Sequence, residues 1–190
     1  MRFDLYSCDE SDRHRFTLGC AGESPLVAIG LNPSMANRER SDITVSKVER
    51  LAKLTGCDGF VMLNLYPLRA TDFSSLPPGH EPAMFDRNLE LIEHTLGEVR
   101  PRVLWAAWGN NVLQRGYLLD AALVLLRRFR NQPWHHFGPL TCAGHPRHPS
   151  RLSYDWRFEH LDAATYRGKL KQWRVAHRSD TETLCTEERR

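Results

Sequence analysis

The sequence predicts an α/β protein built in three layers, helix on sheet on helix, around a central, mostly parallel four-stranded sheet, with a β-hairpin at its N-terminal end. Two observations predict this. Leu26-Val27-Ala28-Ile29-Gly30-Leu31, Phe60-Val61-Met62-Leu63-Asn64-Leu65 and Arg102-Val103-Leu104-Trp105-Ala106-Ala107 are almost continuously apolar, as strands buried on both faces are. Between these runs the apolar residues recur at helical spacing instead. Strands that alternate with helices give a parallel sheet covered on both sides.

Taken in order, residues 2–7 and 14–20 alternate polar and apolar around the polar stretch Cys8-Asp9-Glu10-Ser11-Asp12-Arg13, which predicts the hairpin. The first buried strand follows and runs straight into Asn32-Pro33-Ser34. Ser41 or Asp42 caps a helix whose inner face is Val45, Val48, Leu51, Ala52 and Leu54, with Gly56 as its stop. The second strand ends in Tyr66-Pro67-Leu68-Arg69-Ala70-Thr71, and a proline-rich loop follows it. Phe85, Leu89, Ile92 and Leu96 mark the second helix. The third strand closes on Trp108-Gly109, and Asn110 or Asn111 is expected to cap a helix running to about Arg128. Residues 135–142 are read as a fourth strand and residues 163–175 as a last helix. One domain over residues 1–177 and a flexible polar tail over 178–190 are expected.

Composition limits the function classes. The net charge of +3 permits an anionic partner without demanding one. The five cysteines are scattered without a C-x-x-C pair, so neither a disulfide framework nor a zinc spacing is present. The His145/His148 and His135/His136 pairs have no carboxylate or cysteine at a matching spacing, so no metal and no cofactor are expected. The opening residues lack an apolar stretch of signal-peptide type, and no run approaches membrane-spanning length. A monomeric cytoplasmic protein with reduced thiols, not bound to a membrane, is the expectation.

Two loops carry the chemistry. Gly144-His145-Pro146-Arg147-His148-Pro149-Ser150-Arg151-Leu152-Ser153 gathers two His, two Arg, two Pro and two Ser. Proline removes donors and fixes φ, so this stretch reads as a rigid surface loop rich in donors and positive charge. Gly30-Leu31-Asn32-Pro33-Ser34 answers it near the N-terminus. Asn32, Asn64, Trp108 and His148 each lie at or just past a strand end, where α/β sheets bind ligands. Each has a plainer reading. Asn-Pro-Ser is ordinary turn chemistry, a strand-end Asn often caps, Trp108 suits a core, and Leu152 suits a buried anchor.

Four blocks, in order, resemble the uracil-DNA glycosylase superfamily. Gly30-Leu31-Asn32-Pro33-Ser34 is similar to its G-x-N-P-G water-positioning motif, and Leu63-Asn64-Leu65 to the strand-end L-N that reads a flipped base. Residues 104–109 resemble its L-L-W-G strand, and His148-Pro149-Ser150-Arg151-Leu152-Ser153 its H-P-S-P-L-S minor-groove loop. The chain is also similar to a bacterial family of unassigned function with G-L-N-P-S and P-R-H-P motifs. The resemblance implies a protein that binds a damaged or modified base flipped out of DNA and hydrolyses its N-glycosidic bond. Asn32 would orient the water and His148 would stabilise the departing base. Gly30, Leu31, Pro33, Ser34, Asn64, Tyr66 and Trp108 would surround the base. Arg147, Pro149, Ser150, Arg151 and Ser153 would meet the DNA backbone, and Leu152 would be the wedge. Ser34 stands where the uracil-specific branch has Tyr, Arg151 replaces a Pro, and Met35 or Tyr66 is left to stack on the base. Two alternatives remain. One is a nucleic-acid-binding protein without catalysis. The other is an enzyme of small nucleotides or nucleosides.

Overall fold

The computed structural model describes residues 2–176, so the expected tail over 178–190 lies outside the described residues. Seven strands form one sheet: β1 (Leu5–Cys8), β2 (Arg15–Cys20), β3 (Leu26–Gly30), β4 (Phe60–Asn64), β5 (Val103–Ala106), β6 (Trp134–Phe137) and β7 (Phe158–His160). Their spatial order is β1-β2-β4-β3-β5-β6-β7. β4, β3, β5 and β6 run parallel to one another, and β1, β2 and β7 add antiparallel edges. The helices are α1 (Ile43–Leu54), α2 (Pro82–Glu98), α3 (Gly116–Arg128) and α4 (Ala163–Ala176).

The four parallel strands are the four expected ones, but the expected four-stranded sheet is too small. The hairpin is not an appendage. Its second strand pairs Leu18, Gly19 and Cys20 with Met62, Val61 and Phe60 of β4 and so extends the same sheet. β7 has only three residues, too few to display an alternating pattern in the sequence. The helix expected to start at Asn110 or Asn111 begins at Gly116, after a short 3-10 turn over Asn110–Leu113. Asn110 spends its side-chain oxygen accepting from the Thr141 hydroxyl instead of capping. Asp42 does cap α1, accepting from the Val45 N–H.

Successive residues of β3 feed two different cores. Val27 and Ile29 join Leu63, Leu89, Ile92, Leu118 and Leu170, the side covered by α2, α3 and α4. Leu26 and Ala28 join Met62, Trp105, Val45, Val48 and Leu51, the side covered by α1. That division accounts for the unbroken apolar run. The strand order then fixes the layers. From β3 the chain crosses through α1 to β4 on one side, and from β4 it crosses back through α2 to β5 on the other. Crossovers of a single hand that run in opposite directions place their helices on opposite faces. The order reverses between β3 and β5, and a crevice opens at the carboxyl ends of these two strands.

β6 is cut short at Gly138, whose φ of +65° belongs to the left-handed region. The following loop folds back so that Trp156 lies directly on the Gly138 Cα, where any Cβ would overlap the ring. Gly138→Ala therefore combines backbone strain with overpacking and is expected to destabilise the protein by about 2–4 kcal/mol. Urea unfolding measures this as a lower midpoint, and an unchanged midpoint would contradict the packing described.

Candidate functional site

β3 does not release the chain at its last residue. The Leu65 and Tyr66 N–H groups donate to the carbonyls of Gly30 and Leu31 (2.9 and 3.1 Å), and the Ala107 N–H donates to that of Ile29 (2.8 Å). The turn at Asn32 is thus held between the ends of β4 and β5. Its side-chain Nδ2 donates to the carbonyls of Ala70 (2.8 Å) and Pro33 (3.0 Å). The Ala70 N–H returns a bond to the Pro33 carbonyl (2.8 Å). With Nδ2 committed, Asn32 Oδ1 accepts from no group among the described residues, and the side chain is half-buried.

His148 reaches the same edge from the other side. Gly109, just past β5, has φ +74°, and a Cβ there would lie 3.2 Å from the His148 Cβ. The loop before His148 is anchored twice. The Thr141 hydroxyl donates to Asn110 Oδ1 (2.7 Å), and the Thr141 N–H donates to the His145 carbonyl (2.9 Å). Deeper down, Trp108 Nε1–H donates to the Tyr166 hydroxyl (3.1 Å), which lies 2.9 Å from His145 Nδ1. The Tyr166 hydroxyl thus accepts from the indole and shares a further hydrogen bond with His145. Burial, with Lys169 beside it, lowers the His145 pKa, and burial raises that of Tyr166.

The same logic fixes the state of His148. Its Nδ1 accepts from the Ser150 N–H (3.3 Å) and lies 2.8 Å from the Ser150 hydroxyl. A backbone N–H cannot accept, so Nδ1 carries no proton and Nε2–H is a donor. Burial pushes the His148 pKa down to about 4. Asp42 opposes that shift, while the cations Arg151 and Lys47 reinforce it. His148 is a neutral imidazole at physiological pH. Lys47 Nζ also donates to the Ser150 carbonyl (3.0 Å), tying α1 to the loop.

The remaining expected residues divide sharply. Gly30, Leu31 and Pro33 form the buried backbone of the first turn. Ser34 is half-buried, and its hydroxyl donates to Thr71 Oγ1 (3.2 Å). Arg151 is exposed. Asn64 is 0% exposed. With its amide nitrogen turned toward the carbonyls of Leu63 and Asn32 (3.3 Å each), it clamps two strand ends together. Tyr66 is buried against the Tyr117 ring (4.7 Å), and its hydroxyl accepts from the Glu81 N–H. Inside the core, Trp108 stacks on Tyr166 and meets Trp134 edge to face. These three therefore do not face an opening. Arg147 Nε donates to the Pro139 carbonyl (2.7 Å), and its guanidinium lies over the Trp156 ring. Pro149 is buried, and Leu152 packs against the α1-side core as an anchor rather than projecting as a wedge. Ser153 donates to Asp155 (3.0 Å), closing a local turn.

The sequence reading missed the residues behind the first loop. Arg69 donates to the carbonyls of Ser34 and Ala36 (2.8 Å each) and to the Tyr6 hydroxyl and Asp12. Arg15, 1% exposed, also donates to the Ala36 carbonyl (3.0 Å). Burial, then the neighbouring Arg69, lowers the Arg15 pKa to about 10. The available signal was a charged residue directly before the apolar positions of an alternating strand. Beside this scaffold lies a hollow of about 340 Å³ bordered by Ser34, Met35, Arg69 and Thr71. It shares Asp12 and Asn37 with a neighbouring hollow of about 530 Å³. Among the described residues, no three His, Cys, Asp or Glu side chains converge as metal ligands do, and no helix is long and apolar enough to cross a membrane.

His148, His145 and His135 all have lowered pKa values in the folded chain, each chiefly through burial. The unfolded chain takes up these protons near pH 6.5, while the folded chain resists until about pH 4 at His148. Stability should therefore fall as pH drops through 6.5 toward 4. His148→Asn keeps an acceptor for the Ser150 N–H. It should shrink the difference in melting temperature between pH 7 and pH 5, and an undiminished difference would contradict the neutral-imidazole assignment.

Neither the curated proteins nor the solved structures contain a match to this chain. A family model does match, over residues 15–150, a span that runs from the start of β2 through both site loops to Ser150. On that match the chain belongs to the family described as "Protein of unknown function (DUF1643)".

Proposed function

We propose that this protein is a DNA-base N-glycosylase, hydrolysing the bond between deoxyribose and a damaged or modified base. The observation that carries the reading is the neutral His148, with Nε2–H as its available donor, at the same sheet edge as Asn32, whose Oδ1 is left to accept. Breaking the C1′–N bond sends an electron pair onto the base and leaves an oxocarbenium-like sugar, as in other glycoside cleavage. A neutral imidazole N–H at the base carbonyl stabilises that anion by hydrogen bonding, without transferring a proton to it. Water aligned by the Asn32 side-chain Oδ1 adds its oxygen to C1′, and its proton leaves to the base or to solvent. Asn is not a general base, so the chemistry depends on the leaving group and on alignment. The resemblance to the uracil-DNA glycosylase superfamily supports the same assignment of Asn32 and His148.

Asn64 enters this reading as a positioning residue. It holds the Asn32 carbonyl from within the sheet instead of touching a base. A second reading, nucleic-acid binding without catalysis, is favoured by one observation. Asn64, Tyr66 and Trp108 are all sealed, so they form no open base pocket at this edge. Single- and double-stranded oligonucleotides carrying a panel of lesions, followed by alkaline cleavage at abasic sites, separate the two. Binding without base release would select the second reading.

Asn32→Ala and His148→Ala should each slow base release by roughly a hundredfold or more while leaving oligonucleotide affinity nearly intact. Asn32→Asp should also lose activity, because it removes the Nδ2 donor and sets an anion against the carbonyls of Ala70 and Pro33. Release at the wild-type rate by both alanine variants would overturn the mechanism.

A further inference from the structure

Several cations lie on α1 and on the segments that flank it. Arg2 and Lys53 both pair with Glu49, Arg69 pairs with Asp12, and Arg128 and Arg174 pair with Glu93 and Asp120. Arg38, Arg40, Lys47, Arg50 and Arg151 form no ion pair with any carboxylate among the described residues. Lys47 and Arg151 lie beside His148. Arg38 and Arg40 lie in the loop that leads into α1, and Arg38 borders the larger hollow. Ile43, Lys47, Arg50 and Leu54 recur at helical spacing and share one side of α1. It faces away from the core, because Val45, Val48, Leu51 and Ala52 turn inward. Lys47 joins this side to Ser150, and Arg50 lies 4.2 Å over the Tyr154 ring, so the segment carrying Arg151 belongs to the same surface.

A second observation falls on the same surface. Among the described residues, five large apolar side chains are exposed, and three of them are Met35 (72%), Ile43 (73%) and Tyr154 (38%). Cations not neutralised by carboxylates, interleaved with exposed apolar and aromatic side chains, are the chemistry of a surface that holds phosphates and stacks bases.

We infer that a nucleic-acid strand lies along the exposed side of α1, its phosphates held by Arg38, Arg40, Lys47, Arg50 and Arg151 and its bases resting on Met35, Ile43 and Tyr154. The inference rests on the proposed function for its substrate class and specifies where that substrate is held. It also gives the strand a course. Lys47 and Arg151 flank His148, so a strand held here passes the site instead of ending at it.

The test is a salt titration of binding, using the full chain with fluorescein-labelled single-stranded and duplex oligonucleotides. One variant combines Arg38→Gln, Arg40→Gln, Arg50→Gln and Arg151→Gln. The control combines Lys169→Gln and Lys171→Gln on α4, on the opposite face of the sheet. The quadruple variant should keep the wild-type melting curve, lose more than about tenfold in affinity, and have a log–log salt slope smaller in magnitude by about 3. The control should change little. If the wild type binds and the quadruple variant binds equally well, or the control loses as much, this surface is not the phosphate platform, and the proposed function stands. If the wild type binds neither oligonucleotide but binds phosphatidylserine vesicles, the partner is a lipid surface, and the inference falls together with the reading it rests on.

Discussion

Burial of β3 on both faces is the constraint on which the rest of the structure depends. A strand with apolar side chains pointing both ways needs a helix layer above it and another below. The chain meets that need by crossing first one way and then the other from β3, which puts α1 on one face and α2, α3 and α4 on the other. The reversal that encloses β3 also opens the crevice at its carboxyl end. Core and site are therefore products of the same topology. Asn32 stands at that carboxyl end because it is the second residue after β3.

Beyond the strands, hydrogen-bond asymmetry sets the chemistry. Each decisive contact joins a group that can only donate to one that can do either. The Trp108 indole donates to the Tyr166 hydroxyl, and the Ser150 N–H sets the His148 proton. The Ala70 and Pro33 carbonyls take the Asn32 nitrogen and so turn its oxygen outward. A half-satisfied polar group at such depth costs roughly 1–3 kcal/mol, so these orientations are held firmly. Behind the first loop, Arg15 and Arg69 perform the same service by filling backbone carbonyls that no strand partner reaches.

Some of this was legible in the chain and some was not. Three of the four parallel strands announce themselves through unbroken apolar runs, and the α1 cap, as Ser41 or Asp42, through its place ahead of an amphipathic segment. Asn32 and His148 stand out as polar residues set beside prolines at strand ends. β7 escapes notice because three residues cannot display a period. Asn110 looks like a cap until Thr141, 31 positions away, claims its oxygen. Asn64, Tyr66 and Trp108 look like pocket residues because each follows an apolar run. Whether such a residue points into a crevice or into the sheet depends on what packs over it, and local sequence does not encode that.

The sequence by itself determined the α/β class, the parallel strands, the two loops and the residue types available for chemistry. These depend on hydrophobic periodicity and turn stereochemistry, which act over a few residues at a time. The tertiary structure alone decided that the hairpin and β7 complete one sheet, that Leu152 anchors the core, and that Arg147 lies over the Trp156 ring. It alone set His148 as a neutral donor beside Gly109 and placed Lys47 and Arg151 beside it. Protonation state, burial and ion pairing are fixed by groups distant in the chain, brought together only when the sheet closes.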